Sequence, residues 1–229
     1  MKPATALHGW MLLMLALPAL CAAGGITGKV VHAGPQPAAK KVAVTIDQYA
    51  CGTSKDADDL IVSPRGEISN AVVSIENPPP GATWRADAPT PAIDQRGCAF
   101  VPRVVVVRAG GTVDFLNNDR LLHNIHATPK LNVSFNRTQP KDRTIPITFL
   151  KPEIVRIDCD LHSWMRAYVV VAGHPYFRVT PADGAFAYDN LPPGRYRLQI
   201  WHERLGTVTR EVTVPDKGNA TLNVELKSQ

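Results

Sequence analysis

The chain has 229 residues, of which 45% are hydrophobic and 20% are charged, so its apolar side chains suffice for one large core or two small ones. The net charge is +5, but the basic residues form no run of the kind that binds phosphate backbones, which argues against a nucleic-acid-binding protein.

Residues 1–23 have the pattern of a secretory signal peptide. Lys2 gives a positive start, an apolar run follows over residues 10–17, and small residues over 19–23 suit signal-peptidase cleavage. The apolar run is too short to span a bilayer comfortably, so we expect no membrane span in the mature chain. A lipid anchor on Cys21 stays an alternative. We predict a periplasmic or secreted protein, from a Gram-negative bacterium.

Cleavage of the signal peptide would leave three cysteines, which are Cys51, Cys98 and Cys159. Disulfides persist in exported proteins, and three cysteines form one pair and leave one over. Cys159 is the cysteine with metal-binding residue types, His162 and Met165, close by in the sequence. The simplest assignment is therefore a Cys51–Cys98 disulfide, with Cys159 kept as a thiolate.

Short runs rich in Val, Ile, Thr and aromatic residues, separated by turn residues, predict β-strands along the mature chain. No segment has a sustained 3.6-residue apolar period, so we expect an all-β fold with little helix, a β-sandwich by default. Two long stretches, residues 77–95 and 127–146, are predicted to be loops. The first is rich in proline, which lacks the backbone donor that a central strand needs.

The last third of the chain contains two turn patterns, DGAF at residues 183–186 and LPPGRY at residues 191–196. They resemble the transthyretin-like or carboxypeptidase-regulatory-like β-sandwich. That family opens with a pair of strands, which residues 28–30 (GKV) and 37–44 match at the other end of the chain. The resemblance implies a discontinuous scaffold domain without chemistry of its own. A chance likeness between two unrelated β segments stays the alternative.

Cys159, His162 and Met165 form a C-x2-H-x2-M motif in a predicted loop between two strands. The composition of the chain gives this spacing by chance about once in five hundred such chains. A thiolate, an imidazole and a thioether suit copper that cycles between two oxidation states, whereas zinc has little use for Met. Electron-transfer copper takes two His, one Cys and a weak axial Met, so a second histidine must come from elsewhere.

Two histidines upstream, His123 and His126, are the candidates for that ligand. Residues three apart in an extended chain point to opposite faces, so only one of them should face the metal. Geometry alone leaves the choice open.

Residues 72–171 look like a cupredoxin, the blue-copper fold, on the patterns at residues 100–107, 110–115 and 117–119, the His123-Asn124 pair and the C-x2-H-x2-M loop. The resemblance implies a Greek-key β-sandwich that binds one type 1 copper ion. The implied ligands are His123, Cys159, His162 and Met165. In this family the His of a His-Asn pair is the first ligand, which favours His123 over His126. The following Asn hydrogen-bonds across to the Cys loop in the family, and Asn124 matches it.

These patterns together predict three parts of the chain. They are a signal peptide (1–23), a second, smaller β-sandwich of carboxypeptidase-regulatory-like type (24–67 with 173–229), and a cupredoxin copper domain (68–172).

The leading prediction for function is an exported one-electron carrier and not an enzyme. A multicopper oxidase or nitrite reductase would need a second copper centre with more paired histidines, and the sequence contains no such set. The resemblance implies brief encounters with a redox protein such as a cytochrome or a dehydrogenase, through an exposed edge of His162. Trp164 and Leu122 are the candidates for an apolar docking patch. The alternative is a periplasmic copper-binding or structural β-sandwich interaction protein without a redox-carrier role.

Overall fold

The structure is a computed structural model and describes residues 24–38 and 40–227. The predicted signal peptide, Cys21 included, lies outside the described residues. The chain is all-β, as predicted, with one short helix in the described ranges, α1 (Gln48–Cys51). The strands are, in chain order, β1 (Gly24–His32), β2 (Lys41–Ala43), β3 (Ser54–Asp56), β4 (Val72–Ile75), β5 (Ala92–Gln95), β6 (Phe100–Val101), β7 (Val104–Arg108), β8 (Gly111–Asn117), β9 (His123–Ala127), β10 (Phe135–Gln139), β11 (Thr144–Phe149), β12 (Glu153–Asp158), β13 (Arg166–Ala172), β14 (Phe177–Val179), β15 (Ala185–Leu191), β16 (Gly194–His202), β17 (Gly206–Val214), β18 (Asn219–Thr221) and β19 (Val224–Leu226). No helix over residues 24–38 and 40–227 is long and apolar enough to cross a membrane.

The middle of the chain forms a sandwich of two sheets. One sheet has the strand order β10-β9-β12-β13-β7 and the other has the order β11-β8-β5-β6. Along β8 and β12 every second residue is buried, because alternate side chains of a strand point into the space between the sheets. The buried core between the sheets includes Phe115, Ile125, Phe149, Ile157 and Val169.

A second sandwich is built from both ends of the chain. One of its sheets has the order β15-β1-β18, with β19 also beside β1, and the other has the order β14-β4-β16-β17. Its core includes Ile26, Ile75, Tyr188, Leu198 and Val224. The predicted division at residue 68 places β4 in the middle domain, whereas the structure pairs β4 with β14 and β16. All four residues of β4 are buried, and such an apolar run does not reveal which sheet it joins.

The two sandwiches contact each other through a third, small cluster that contains Val72, Val104 and Val170. Beside it lies a buried ion pair between Arg103 and Glu203, each of whose side chains is 6% exposed. Arg103 also donates to Asp58, and the Tyr168 hydroxyl donates to Glu203 over 3.2 Å. A buried charge needs such partners, so these contacts fix how the two sandwiches meet.

The segment over residues 41–56 folds against the middle sandwich. β2 and β3 pair with each other, and α1 lies between them in the chain. Val44 and Cys51 are buried in the core of the middle sandwich. Cys51 is bonded to Cys98, which confirms the predicted disulfide, and among the described residues Cys159 is the free cysteine.

The two predicted loops were partly wrong. β5 ends the first, at residues 92–95, and is parallel to β8. The second contains all of β10, paired with β9, and the beginning of β11.

Candidate metal centre

One end of the middle sandwich brings the candidate ligands together. His123 is the first residue of β9, and Cys159 directly follows β12, whose last residue is paired with β9. The antiparallel pair β12 and β13 closes the loop over residues 159–165 into a tight turn. Within that turn the backbone N–H of Met165 donates to the carbonyl of His162 over 2.8 Å, and that of Cys159 donates to the carbonyl of Met165 over 3.3 Å.

Three donor atoms converge in this turn. The Nδ1 atoms of His123 and His162 are 2.9 Å apart, and the Cys159 Sγ lies 4.0 Å and 3.7 Å from them, respectively. Metal bonds to protein nitrogen and sulfur are about 2.1 and 2.3 Å long, so one ion reaches donors up to about 4.4 Å apart. The side chains are buried, with exposed fractions of 0%, 0% and 2% for His123, His162 and Cys159. Spacing and donor chemistry therefore both fit a single metal ion.

A carboxylate holds the far nitrogen of each imidazole. The Nε2 of His123 lies 2.9 Å from Asp119 Oδ2, and the Nε2 of His162 lies 3.0 Å from Asp47 Oδ2. An Nε2–H that donates to a carboxylate leaves the Nδ1 lone pair of a neutral imidazole free to bind a metal. These two bonds aim both imidazoles at Cys159.

Burial shifts the pKa values of two groups at this site, His123 and Cys159. It lowers the pKa of His123, although the hydrogen bond to Asp119 opposes this effect. It raises the pKa of the Cys159 thiol, against hydrogen bonds from neighbouring backbone groups. The metal-free protein therefore presents a neutral imidazole and a thiol at this site, and a metal that binds the thiolate must displace its proton.

Met165 ends the turn, and its side chain is 1% exposed within the core of the middle sandwich. Its backbone is tied to Cys159 and His162, as described above. Its role as a ligand stays a prediction.

His126 points away from the converging donors. Its ring is 36% exposed, and its Nδ1 lies 2.8 Å from Asp160 Oδ1, a bond that lowers the pKa of Asp160. Asn124, between the two histidines, reaches the turn over residues 159–165, which we call the ligand turn after its candidate ligands. Its side-chain oxygen accepts the backbone N–H of Asp160 over 2.8 Å and the Cys159 thiol over 3.3 Å.

Sequence reasoning missed both carboxylates. Asp119 stands four residues before His123, and that spacing was the available signal. Asp47 is 115 residues from His162, and only the folded chain brings the two together.

The predicted exposed edge of His162 was wrong, because this side chain is 0% exposed and Asp47 covers its Nε2. Trp164 is half-buried against the core, and its Nε1 donates to the Cys98 carbonyl over 3.0 Å. Leu122 is 49% exposed.

Comparison with known families gives a match at one end of the chain. Residues 165–227 match the carboxypeptidase regulatory-like domain, and the match begins at Met165, inside the ligand turn. No curated protein sequence matches the chain.

Solved structures that resemble a part of the chain include two small cupredoxins and a nitrite reductase. A mutant of amicyanin in its reduced Cu(I) form is 21% identical and aligns with 44% of this chain and 98% of its own, with a TM-score of 0.35. A purple cupredoxin from Nitrosopumilus maritimus is 19% identical and aligns with 36% of this chain and 99% of its own, with a TM-score of 0.32. A copper-containing nitrite reductase from Thermus scotoductus SA-01 is 20% identical over 42% of this chain, with a TM-score of 0.35, and this chain covers only 25% of its length.

Proposed function

We propose that the chain is an exported electron-transfer protein that binds one type 1 copper ion and carries one electron at a time. The observation that carries the proposal is the convergence of two imidazole nitrogens and a cysteine sulfur on one buried point. Bound there, copper would supply a Cu(I)/Cu(II) couple, to which a soft thiolate and two imidazoles are suited. We assign His123, Cys159 and His162 as ligands, with Met165 as the weak axial one.

The residues around the donors support a carrier. Asp119 and Asp47 fix the two imidazoles, and Asn124 fixes the backbone that follows Cys159. Ligands held in this way keep their positions when the charge of the site changes, and a small rearrangement favours fast electron transfer.

Burial favours a carrier over an enzyme. A reaction at a metal needs an open coordination position that a substrate can reach. The side chains of all four proposed ligands are at most 2% exposed. An electron can still pass to a partner that docks briefly on the surface, as redox proteins do. We propose as partner a redox protein such as a cytochrome or a dehydrogenase.

Export is part of the same proposal. The Cys51–Cys98 disulfide suits an oxidising compartment, and residues 1–23 have the pattern of a signal peptide. A periplasmic or secreted location meets both observations.

A reversible redox titration of the copper-loaded protein tests this proposal. We expect one electron per chain, with the same midpoint in the reductive and oxidative directions. His123→Ala should abolish this couple, whereas the matched variant His126→Ala should keep it, because His126 points away from the donors. A protein that binds copper without a reversible couple, or that loses the couple only when His126 is replaced, would contradict the proposal.

A further inference from the structure

Among the candidate ligands, His162 makes the side-chain contact with the residue most distant in the sequence, Asp47. It has no exposed surface, and its Nε2 contacts the Asp47 carboxylate at 3.0 Å. The Asp47 side chain is itself 30% exposed, so it stands between the imidazole and solvent.

Asp47 belongs to a short segment, residues 44–52, which we call the cap. Val44 and Cys51 anchor the cap in the core of the middle sandwich, and the Cys51–Cys98 disulfide ties it covalently. The Asp47 carbonyl accepts the N–H of Cys51 over 2.9 Å, and Asp47 itself has a left-handed backbone with φ of 54°. Aspartate tolerates this conformation better than most residues other than glycine. Core contacts, a disulfide and a backbone hydrogen bond thus hold the cap that places Asp47 beside His162.

The carboxylates of Asp47 and Asp119 form a pair around the site. Asp119 holds His123 through Nε2, and it also accepts the backbone N–H of Cys98, the disulfide partner of Cys51. The cap, the disulfide and both imidazoles therefore form one connected set of bonds.

We propose that Asp47 is a positioning residue for His162, and that the cap closes the metal centre against solvent. The positioning role rests on the copper function proposed above, whereas the closure is a property of the metal-free protein as well. A partner that docks at this end would meet the cap, with Ile46 and Tyr49 exposed at 47% and 83%, instead of the imidazole edge.

Chemical labelling of the metal-free, full-length mature protein tests the closure. Diethyl pyrocarbonate modifies accessible neutral imidazoles, and peptide mapping reports each histidine separately. We expect His162 to react about tenfold or more slowly than the 36% exposed His126, because its labelling requires the cap to open locally. Asp47→Ala and the double variant Cys51→Ser/Cys98→Ser should each accelerate labelling of His162 and leave His126 unchanged. Equal rates in the wild type, or no acceleration in either variant, would overturn the closure.

The midpoint potential of the copper-loaded protein tests the positioning role. Asp47→Asn removes a negative charge next to a ligand and should raise the potential, because that charge favours the more positive Cu(II). For a one-electron couple, a change of about 59 mV in the midpoint potential corresponds to a tenfold change in the equilibrium between Cu(I) and Cu(II). The matched control is Asp56→Asn, whose carboxylate is 82% exposed in β3 and pairs with Lys41. An Asp47→Asn potential equal to that of the control would overturn the positioning role.

Because labelling needs no metal, failure to bind copper would refute the proposed function and leave the closure tested.

Discussion

Asn124 shows how one side chain can hold the ligand turn in place. It is 5% exposed, and its oxygen accepts the backbone N–H of Asp160. Its nitrogen donates to Asn136 Oδ1 over 2.8 Å and to Asp160 Oδ2 over 3.0 Å. The amide thus uses both its donor and its acceptor capacity to join β9 to the turn after β12.

We predict that Asn124→Ala lowers the free energy of unfolding by about 1–3 kcal/mol, because the N–H of Asp160 loses its partner. Urea denaturation of the metal-free protein measures this loss. Asn136→Ala, at a more exposed position of the same network, should cost less than about 0.5 kcal/mol. Equal losses in the two variants would show that Asn124 does not hold the turn.

Among single residues, groups that lie close together in the chain could be predicted from the sequence, whereas contacts between distant segments could not. The spacing of Cys159, His162 and Met165 was visible because all three lie in one turn. Asp47 was not visible, since the contact with His162 joins distant segments and depends on the fold of the cap.

At the scale of elements, β1 has close neighbours on both of its edges. It is antiparallel to β15 and parallel to β18 and β19. At Gly28 a Cβ atom would lie 1.8 Å from the backbone oxygen of Leu222 and 2.8 Å from the ring of Phe186. Backbone does not yield as a flexible side chain does, so a Cβ at this position would force the two backbone segments apart.

We predict that Gly28→Ala destabilises the protein by about 1–3 kcal/mol through overpacking. Gly173→Ala is the matched control, because its Cβ would meet only Pro152 at an ordinary 3.5 Å. That variant should be neutral, or more stable by about 0.4–1 kcal/mol. Thermal or urea unfolding compares the two, and a Gly28→Ala protein as stable as the control would contradict the close approach.

Sequence patterns missed β5 and β10, two strands whose formation depends on the neighbouring strand. β10 has the sequence FNRTQ, and three of its five residues are exposed at the edge of its sheet, so it has little apolar alternation. β5 is four residues long and directly follows a proline-rich stretch. Pairing with β9 and β8 makes these segments strands, and a single sequence does not show such pairing.

On the scale of the whole molecule, the contact between the two sandwiches contains buried charge. His202 ends β16 beside Glu203 and is 2% exposed. Burial lowers the pKa of His202 from 6.5 to about 4, although Glu203 opposes this effect. Between these values the unfolded chain binds a proton that the folded chain does not, so stability falls as the pH falls from 6.5 to about 4.

We predict a loss on the order of 2–3 kcal/mol from this group over that interval. Urea unfolding of the metal-free protein across the interval measures it, with His202→Asn as the comparison. All other ionisable groups are the same in both proteins, so the difference between the slopes of the two stability curves isolates His202. The wild type should lose stability more steeply than the variant, and parallel curves would contradict the prediction.

The proposed function depends on a copper ion bonded to the Cys159 thiolate. The most direct measurement is the visible absorption spectrum of the metal-free protein as Cu(II) is added, with Cys159→Ser alongside. We expect an intense blue band that saturates at one copper per chain in the wild type and does not form in Cys159→Ser. A wild-type protein that binds Cu(II) and stays colourless, or a Cys159→Ser protein with the same spectrum, would contradict the copper–thiolate centre.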